Sequence, residues 1–403
     1  MIGRNKRKFQ GVAALRQRLL GFACVVLSLL CASANGDTVQ FHAWGGSAQV
    51  NSYLQWVKQE VKRLHNIDLN HVKLADTSDA VSRVLAEKAA GNLDNGSVDL
   101  IWINGENFAA MHRHGLLKSN WVATLTHFSL TNATENPAMV TDFGLPTEGQ
   151  EAPWGKAAMV FYHNSVLLPH PPKTLPALLQ FSKANPGRFT YPLPSDYLGI
   201  SFLKYALIAL NNQHRDRLYE PVTPEAFKQL SEPLWTFLDA LHPTMWQQGK
   251  YRVRQASELQ RLMDSESLWL AFSFTAAEIP SAVNRYDLPP SVRTYAMNDG
   301  SLANVHFIGI PFNAAHFEEA KVVVDFLLSP RAQAKKMQLQ TWGDDTVLDM
   351  AMLNEAQRAL FKQHNKHPSA LPSDASVPLF AEPHASWTEA LKEAWFARYQ
   401  GYF

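Results

Sequence analysis

Trp44-Gly45-Gly46 stands between a short apolar run and the start of an amphipathic one. An indole flanked by glycine can present a flat aromatic face where backbone comes close to a ligand. Two nearby stretches share this character, Asp76-Thr77 and Asn104-Gly105-Glu106-Asn107. Farther along come Trp154, Tyr191, Ser195-Asp196-Tyr197, Ser273-Phe274 and Asn304. Aromatic faces combined with carboxylates suit an organic cation, through cation–π contact and charge pairing. Each residue also has an ordinary structural use. Asp76 and Asp196 can cap helices, Glu106 can complement a helix dipole, and Trp44 and Trp154 can pack in a core. Trp102 lies inside a strand and reads as core. Asn304 and His306 fit either a hinge or a ligand contact.

Signatures of catalysis are missing. The chain has no H-E-x-x-H, no G-x-S-x-G, no phosphate-binding P-loop and no G-x-G-x-x-G after a strand. His112 and His114 are two residues apart, on different sides of a helix, and read as surface histidines rather than metal ligands. Neither a metal nor a cofactor is expected. The alternative class is a secreted hydrolase whose catalytic set comes together only in space.

Positioning these residues requires strands that end where helices begin. Thr38–Trp44 reads as a buried strand, and Ser47 as the cap of a helix with Val50, Leu54, Val57, Val61 and Leu64 along one face. "IDLNHVKL" (67–74) and "SVDLIWIN" (97–104) read as further strands. Between them lies a helix capped by Asp76 or Thr77 and stopped at Gly91. This alternation predicts an α/β domain with a mainly parallel sheet. In such sheets ligands sit beyond the carboxyl ends of strands, beside helix N-termini. A second unit starts near "APWGKAAMVFYHNS" (152–165), with strands at 156–163, "RFTYP" (188–192) and "SLWLAFSF" (267–274). "NVHFIGIPFNAAHFEEAKVVVDFLLSPRAQAKKM" (304–337) is a strand followed by helices, and the last sixty residues read as helical.

The first 34 residues have the form of an export signal. Six basic residues precede an apolar run from Leu19 to Leu30, and Ala32-Ser33-Ala34 offers a cleavage site. A periplasmic protein cleaved near Ala34 is expected, and Leu30 before Cys31 argues against a lipid anchor. Both cysteines, Cys24 and Cys31, lie in this leader, so the mature chain would carry no thiol. The leader holds six of the 37 Lys and Arg and none of the 36 Asp and Glu, leaving 31 against 36 and a net charge of −5. Such a balance does not suit nucleic-acid binding.

The stretches "APWGKAAMVFYHN", "PPKTLPALLQFSKANPGRFTYPLPSDYLGISFL" and "VHFIGIPFNAAHFEEAKVVVDFLLSPRAQAKK" resemble bacterial extracellular solute-binding proteins of ABC importers. "AWGG", "WINGENF" and "WGDDTVLDM" place the likeness in the YnjB-type group of that family, over nearly the whole mature chain. The resemblance implies a two-lobed α/β fold of the periplasmic-binding-protein type (type II), with the ligand in the cleft between the lobes. Crossover hinge strands would lie near Trp154–Met159 and Asn304–Ile310. It implies a signal peptide over 1–34, a first lobe over 37–155, a second over 156–303, and the rest of the first lobe with C-terminal helices over 304–403. It also implies a monomer that hands a small solute to membrane permease subunits. The expected cleft residues are Trp44, Gly45, Gly46, Asp76, Asn104, Glu106, Trp154, Tyr191, Asp196, Tyr197, Ser273, Phe274 and Asn304. The expected ligand is a thiamine-like or polyamine-like cation.

Overall fold

The computed structural model describes residues 37–103, 105–251, 253–362, 367–372 and 378–399. The expected signal peptide (1–34) and Asn104 lie outside the described residues.

Strand β1 (Thr38–Trp44) leads through Ser47, whose hydroxyl accepts from the Val50 amide, into helix α1 (Ala48–His65). Strand β2 (Asp68–Leu74), helix α2 (Ser78–Ala89), strand β3 (Leu100–Ile103) and helix α3 (Glu106–Arg113) complete the expected alternation. β1 pairs in parallel with both β2 and β3, and His42 lies opposite Ile101. Trp44 and the chain leaving Ile103 therefore emerge at the same edge of the sheet.

After the short hairpin β4 (Thr141–Asp142) and β5 (Leu145–Pro146) come β6 (Glu151–Ala158) and β7 (Val160–Asn164). Helices α4 (Leu175–Ala184), α5 (Tyr197–Leu210), α6 (Pro224–Leu241) and α7 (Ala256–Asp264) follow. β8 (Leu270–Ser273), α8 (Glu278–Asn284) and β9 (Val292–Tyr295) close this region. Then β10 (Ser301–Gly309) runs into α9 (Phe317–Leu328) and α10 (Pro330–Met337). The chain finishes with α11 (Glu355–Ala359), β11 (Leu379–Phe380) and α12 (Ala385–Tyr399).

The first sheet runs β11-β10-β3-β1-β2, with β6 also paired to β10; only its β2-β1-β3 part is parallel, apart from the short β10–β11 pairing. The second sheet, β8-β7-β9, is antiparallel throughout. "RFTYP" forms no strand. It is extended backbone held by scattered bonds, such as Trp246 N to Phe189 O and Trp269 N to Arg188 O. β9 was not anticipated.

Two apolar cores result. One gathers Val39, Phe41, Tyr53, Ile101, Trp154, Phe307 and Val324; the other gathers Phe161, Tyr191, Phe202, Leu234 and Phe272. β6 and β10 run through both, since Trp154 and Phe307 belong to the first core while Ala157 and Leu302 belong to the second. Their pairing slips between His306 and Phe307. Such an irregularity bends and twists a pair of strands where it occurs. Helix α12 buries Trp387, Leu391, Trp395 and Tyr399 in the second core, four residues apart on one face.

Candidate functional site

The β1 end is built around glycine. Trp44 is 44% exposed, and its indole lies so close over Gly46 that a Cβ there would sit 2.6 Å from the ring. At Gly45 a Cβ would come within 2.6 Å of the Lys73 Cβ, while the Gly45 amide donates to Leu74 O at 3.0 Å. The two glycines let the chain turn under the indole and leave its outer surface in solvent. Asp76, at the end of the β2 turn, is exposed and accepts the Ser78 amide at 2.8 Å. One of its carboxylate oxygens therefore serves the turn that opens α2.

At the β3 end, Gly105 has φ +59°, a conformation that favours glycine, and the Phe143 ring packs against it where a Cβ would be. The Gly105 amide donates to Asp142 Oδ2 at 2.7 Å. Glu106 opens α3, a position that complements the helix dipole, and its carboxylate meets Lys392 Nζ of α12 at 3.1 Å.

Across from these lies the start of α5. Asp196 caps that helix through the Leu198 amide at 2.9 Å and also accepts the Ala256 amide of α7 at 3.2 Å. Burial raises its pKa against the opposing pull of these bonds. Its carboxylate is committed to two helix starts rather than offered to a ligand. Tyr197 is 43% exposed and makes an edge contact with Phe274 at 5.2 Å. Its hydroxyl accepts from Asn304 Nδ2 on β10. Burial of that hydroxyl, then the charge of Glu382 and more weakly that of Glu106, push its pKa well up. Ser273 is buried and donates to the Glu278 carboxylate. Glu106, Tyr197, Phe274 and Asn304 thus belong to one neighbourhood.

Two expected cleft residues do not line a cleft. Trp154 is fully buried, with ring centroids 5.0 Å from Trp102, 5.2 Å from Trp342 and 6.1 Å from Phe41. Its position on β6 turns it into the first core, and neighbouring Gly155 faces the Asp344 carboxylate and His306. Tyr191 is also buried. It stacks on Phe202 at 4.8 Å, and its hydroxyl meets His242 Nε2 at 2.6 Å and the Trp395 indole N–H at 2.9 Å. Because "RFTYP" is not a strand, Tyr191 has no strand end at which to face a ligand.

Sequence reading missed the charged groups behind this neighbourhood. Lys204, in the middle of α5, pairs with Glu382 at 2.6 Å, and both side chains are 2% exposed or less. The Lys204 ammonium also lies 4.5 Å from the Phe143 ring centroid. Glu382 accepts from Asn304 at 3.4 Å. Burial raises the pKa of Glu382, with Lys204 opposing the shift. Asp142 and Glu151 are buried acids whose pKa values burial raises strongly. One signal was available: a lone lysine in the apolar helix "YLGISFLKYALIAL" demands a buried acid. Nothing in the sequence says which acid.

A second buried ionic group sits under β10. Asp344 accepts from Lys336 at 2.5 Å and contacts His306 Nε2 at 2.9 Å. Lys336 and His306 together hold the Asp344 carboxyl below its usual range despite burial. The loop around Asp344 also touches α8, through Ser281 Oγ donating to Leu339 O at 2.9 Å.

Two apolar cores joined by the long strands β6 and β10 define a two-lobed fold of the solute-binding type. The chain belongs to the bacterial extracellular solute-binding proteins, whose family model matches residues 56–355. Protein YnjB of Escherichia coli (strain K12) is 41% identical over 366 residues, covering 91% of this chain and 92% of that protein. Among solved structures, the periplasmic binding protein AfuA of Actinobacillus pleuropneumoniae, with exogenous fructose-6-phosphate bound, superimposes with a TM-score of 0.61 at 12% identity, covering 90% of this chain and 98% of that one. The Tp0655 (TpPotD) lipoprotein of Treponema pallidum gives 0.61 at 14% identity, over 90% and 99%. A putative spermidine/putrescine ABC transporter protein of Listeria monocytogenes gives 0.61 at 14%, over 91% and 100%. These likenesses establish the type II periplasmic-binding-protein fold. As a member of that family the protein is a solute-binding protein and not an enzyme.

Proposed function

We propose that the solute is a small organic cation, polyamine-like or thiamine-like, taken up between the exposed faces of Trp44 and Tyr197 and the carboxylate of Glu106. The observation that carries this reading is the acidic surround of Tyr197. Glu106 and Glu382 both act electrostatically on its hydroxyl, and Asp142 lies within the influence of both. An ammonium group entering such a site gains charge pairing and an aromatic face together. Glu106 is already paired with Lys392, so a cationic ligand would take the place of that lysine. Two of the similar structures carry polyamine-related names, while another holds a sugar phosphate; the likeness in fold does not choose between them.

In this reading the first lobe comprises the elements up to β6 and those from β10 to α11. The second lobe runs from β7 to β9 and is completed by α12. The exported form is a monomer cleaved near Ala34 that delivers its solute to permease subunits.

Native mass spectrometry of the protein purified from periplasm, followed by calorimetric titration with spermidine, putrescine, thiamine and fructose-6-phosphate, tests the ligand class. Saturable binding of a cation with no response to the sugar phosphate supports it. Preferential binding of the phosphate would overturn it and leave the binding-protein identity intact.

A further inference from the structure

The pairing of β6 with β10 places His306 opposite Gly155 and Phe307 opposite Pro153, so Trp154 is an extra residue on β6. This is a bulge, and it lies where the two strands pass from the first core into the second. A carboxylate is inserted beside it. A Cβ on Gly155 would lie 2.1 Å from Asp344 Oδ2 and 2.8 Å from both Lys336 Nζ and His306 Cδ2. Asp344 therefore fills the space that a side chain at 155 would need, and glycine there permits the close approach.

The Asp344 carboxylate is clamped on both oxygens, Oδ1 by His306 Nε2 at 2.9 Å and Oδ2 by Lys336 Nζ at 2.5 Å. Beside it the Asp345 and Lys156 backbones exchange two hydrogen bonds, at 3.2 and 3.3 Å, and Lys336 Nζ donates to Asp345 O at 2.6 Å. The loop that carries Asp344 and Asp345, residues 338–346, is thus fastened to β6 and β10 at the bulge. Trp342 seats this loop in the first core, its ring nearly parallel to that of His306 at 6.2 Å.

The same loop braces α8. Leu339 O accepts from Ser281 Oγ at 2.9 Å. Gly343 has φ +80°, and a Cβ there would come within 2.0 Å of the Ala277 Cβ at the start of α8. That helix belongs to the other side, for its Ile279 and Ala282 lie in the second core. One short segment therefore holds the strand bulge and, a few residues away, a helix of the second core.

We propose that loop 338–346 is a strut that sets the angle between the two cores, with Asp344 as its positioning residue. Resting on the reading above of a solute held between Trp44, Tyr197 and Glu106, that angle sets how far Tyr197 stands from the other two. Hinge motions are absorbed by a few residues where elements end or bend. Here the bend is filled by a buried ionic group and braced from the side. Asp344 is only 1% exposed, so it acts through the strands and not by touching the solute. The stretch "WGDDTVLDM" thereby acquires a role that solute contact does not supply.

The chain from residue 35 onward has no cysteine, so cysteines placed at the exposed Gln59 of α1 and Glu232 of α6 can carry spin labels. Electron–electron double resonance then reads the distance between the cores with no solute present, so failure of the cation reading leaves this test intact. Ala277→Val wedges α8 away from the loop and should displace the mean distance by at least about 3 Å, since a small shift near a pivot is enlarged at distant labels. Lys336→Met combined with Asp344→Ala leaves no unpaired buried charge, so the protein should fold while its distance distribution widens at least about twofold. A wild-type distribution in either variant, in protein shown to be folded by circular dichroism, would overturn the proposal even where the melting temperature falls.

Discussion

Trp44 and Trp154 are both tryptophans beside glycine, yet only Trp44 keeps a solvent-facing ring. Their substitutions should therefore separate binding from stability. Trp44→Ala removes an exposed face, and for the organic cation proposed above a desolvated cation–π contact is worth about 2 kcal/mol, so affinity should drop at least about tenfold. Glu106→Gln should weaken binding by at least a similar, roughly tenfold, factor through loss of charge pairing. Both variants should leave the ligand-free melting temperature nearly unchanged, as thermal denaturation beside calorimetric titration will show. Trp154→Ala should behave in the opposite sense, losing about 3–5 kcal/mol of stability in urea denaturation because a fully buried indole leaves a cavity. A Trp154→Ala protein that is stable but binds poorly would return that residue to the site.

Helix α5 illustrates how one element serves both fold and function. Its residues from Leu198 to Ile208 are all buried, its first residue Tyr197 keeps a partly exposed ring, and its single charge, Lys204, finds Glu382 from a segment far along the chain. Breaking a buried pair leaves an uncompensated charge and costs about 3–5 kcal/mol, whereas replacing both partners with apolar groups is often close to neutral. Lys204→Met should therefore destabilise the protein by about that amount in urea denaturation, and adding Glu382→Leu should restore most of the loss. If the double variant is as unstable as the single one, the pair's value lies in hydrogen bonding around Asn304 rather than in charge balance.

At the scale of the molecule, α12 links the two cores. It is buried in the second core through Trp387 and Trp395, yet its Lys392 reaches Glu106 on the first, and the Ala385 amide donates to Phe143 O at 3.0 Å. Lys392→Gln should raise affinity for a cationic solute about threefold to tenfold, by removing a built-in competitor worth roughly 1 kcal/mol in a half-exposed pair. A fall in affinity on titration would mean that Lys392 itself contacts the solute. For export, intact mass of the periplasmic form should match a chain beginning near Asn35 or Asp37; a lipid-bearing Cys31 would contradict the cleavage expected.

The alternation of β1, α1, β2, α2 and β3 was legible because side-chain periodicity and caps such as Ser47 are local properties of the chain. The glycines around Trp44 were likewise readable, since a missing Cβ has consequences within a few residues. Whether a given tryptophan, tyrosine or carboxylate faces the cleft was not local. Trp154 turns inward through the strand irregularity opposite His306, and Tyr191 is buried because its segment never joins a sheet. The acids that matter most, Asp142, Glu151 and Glu382, lie 9 to 240 residues apart from one another and carry no periodic signature. Only packing brings them to one place, where exclusion of water decides which are ionised, which hold a proton, and which are left to meet a ligand.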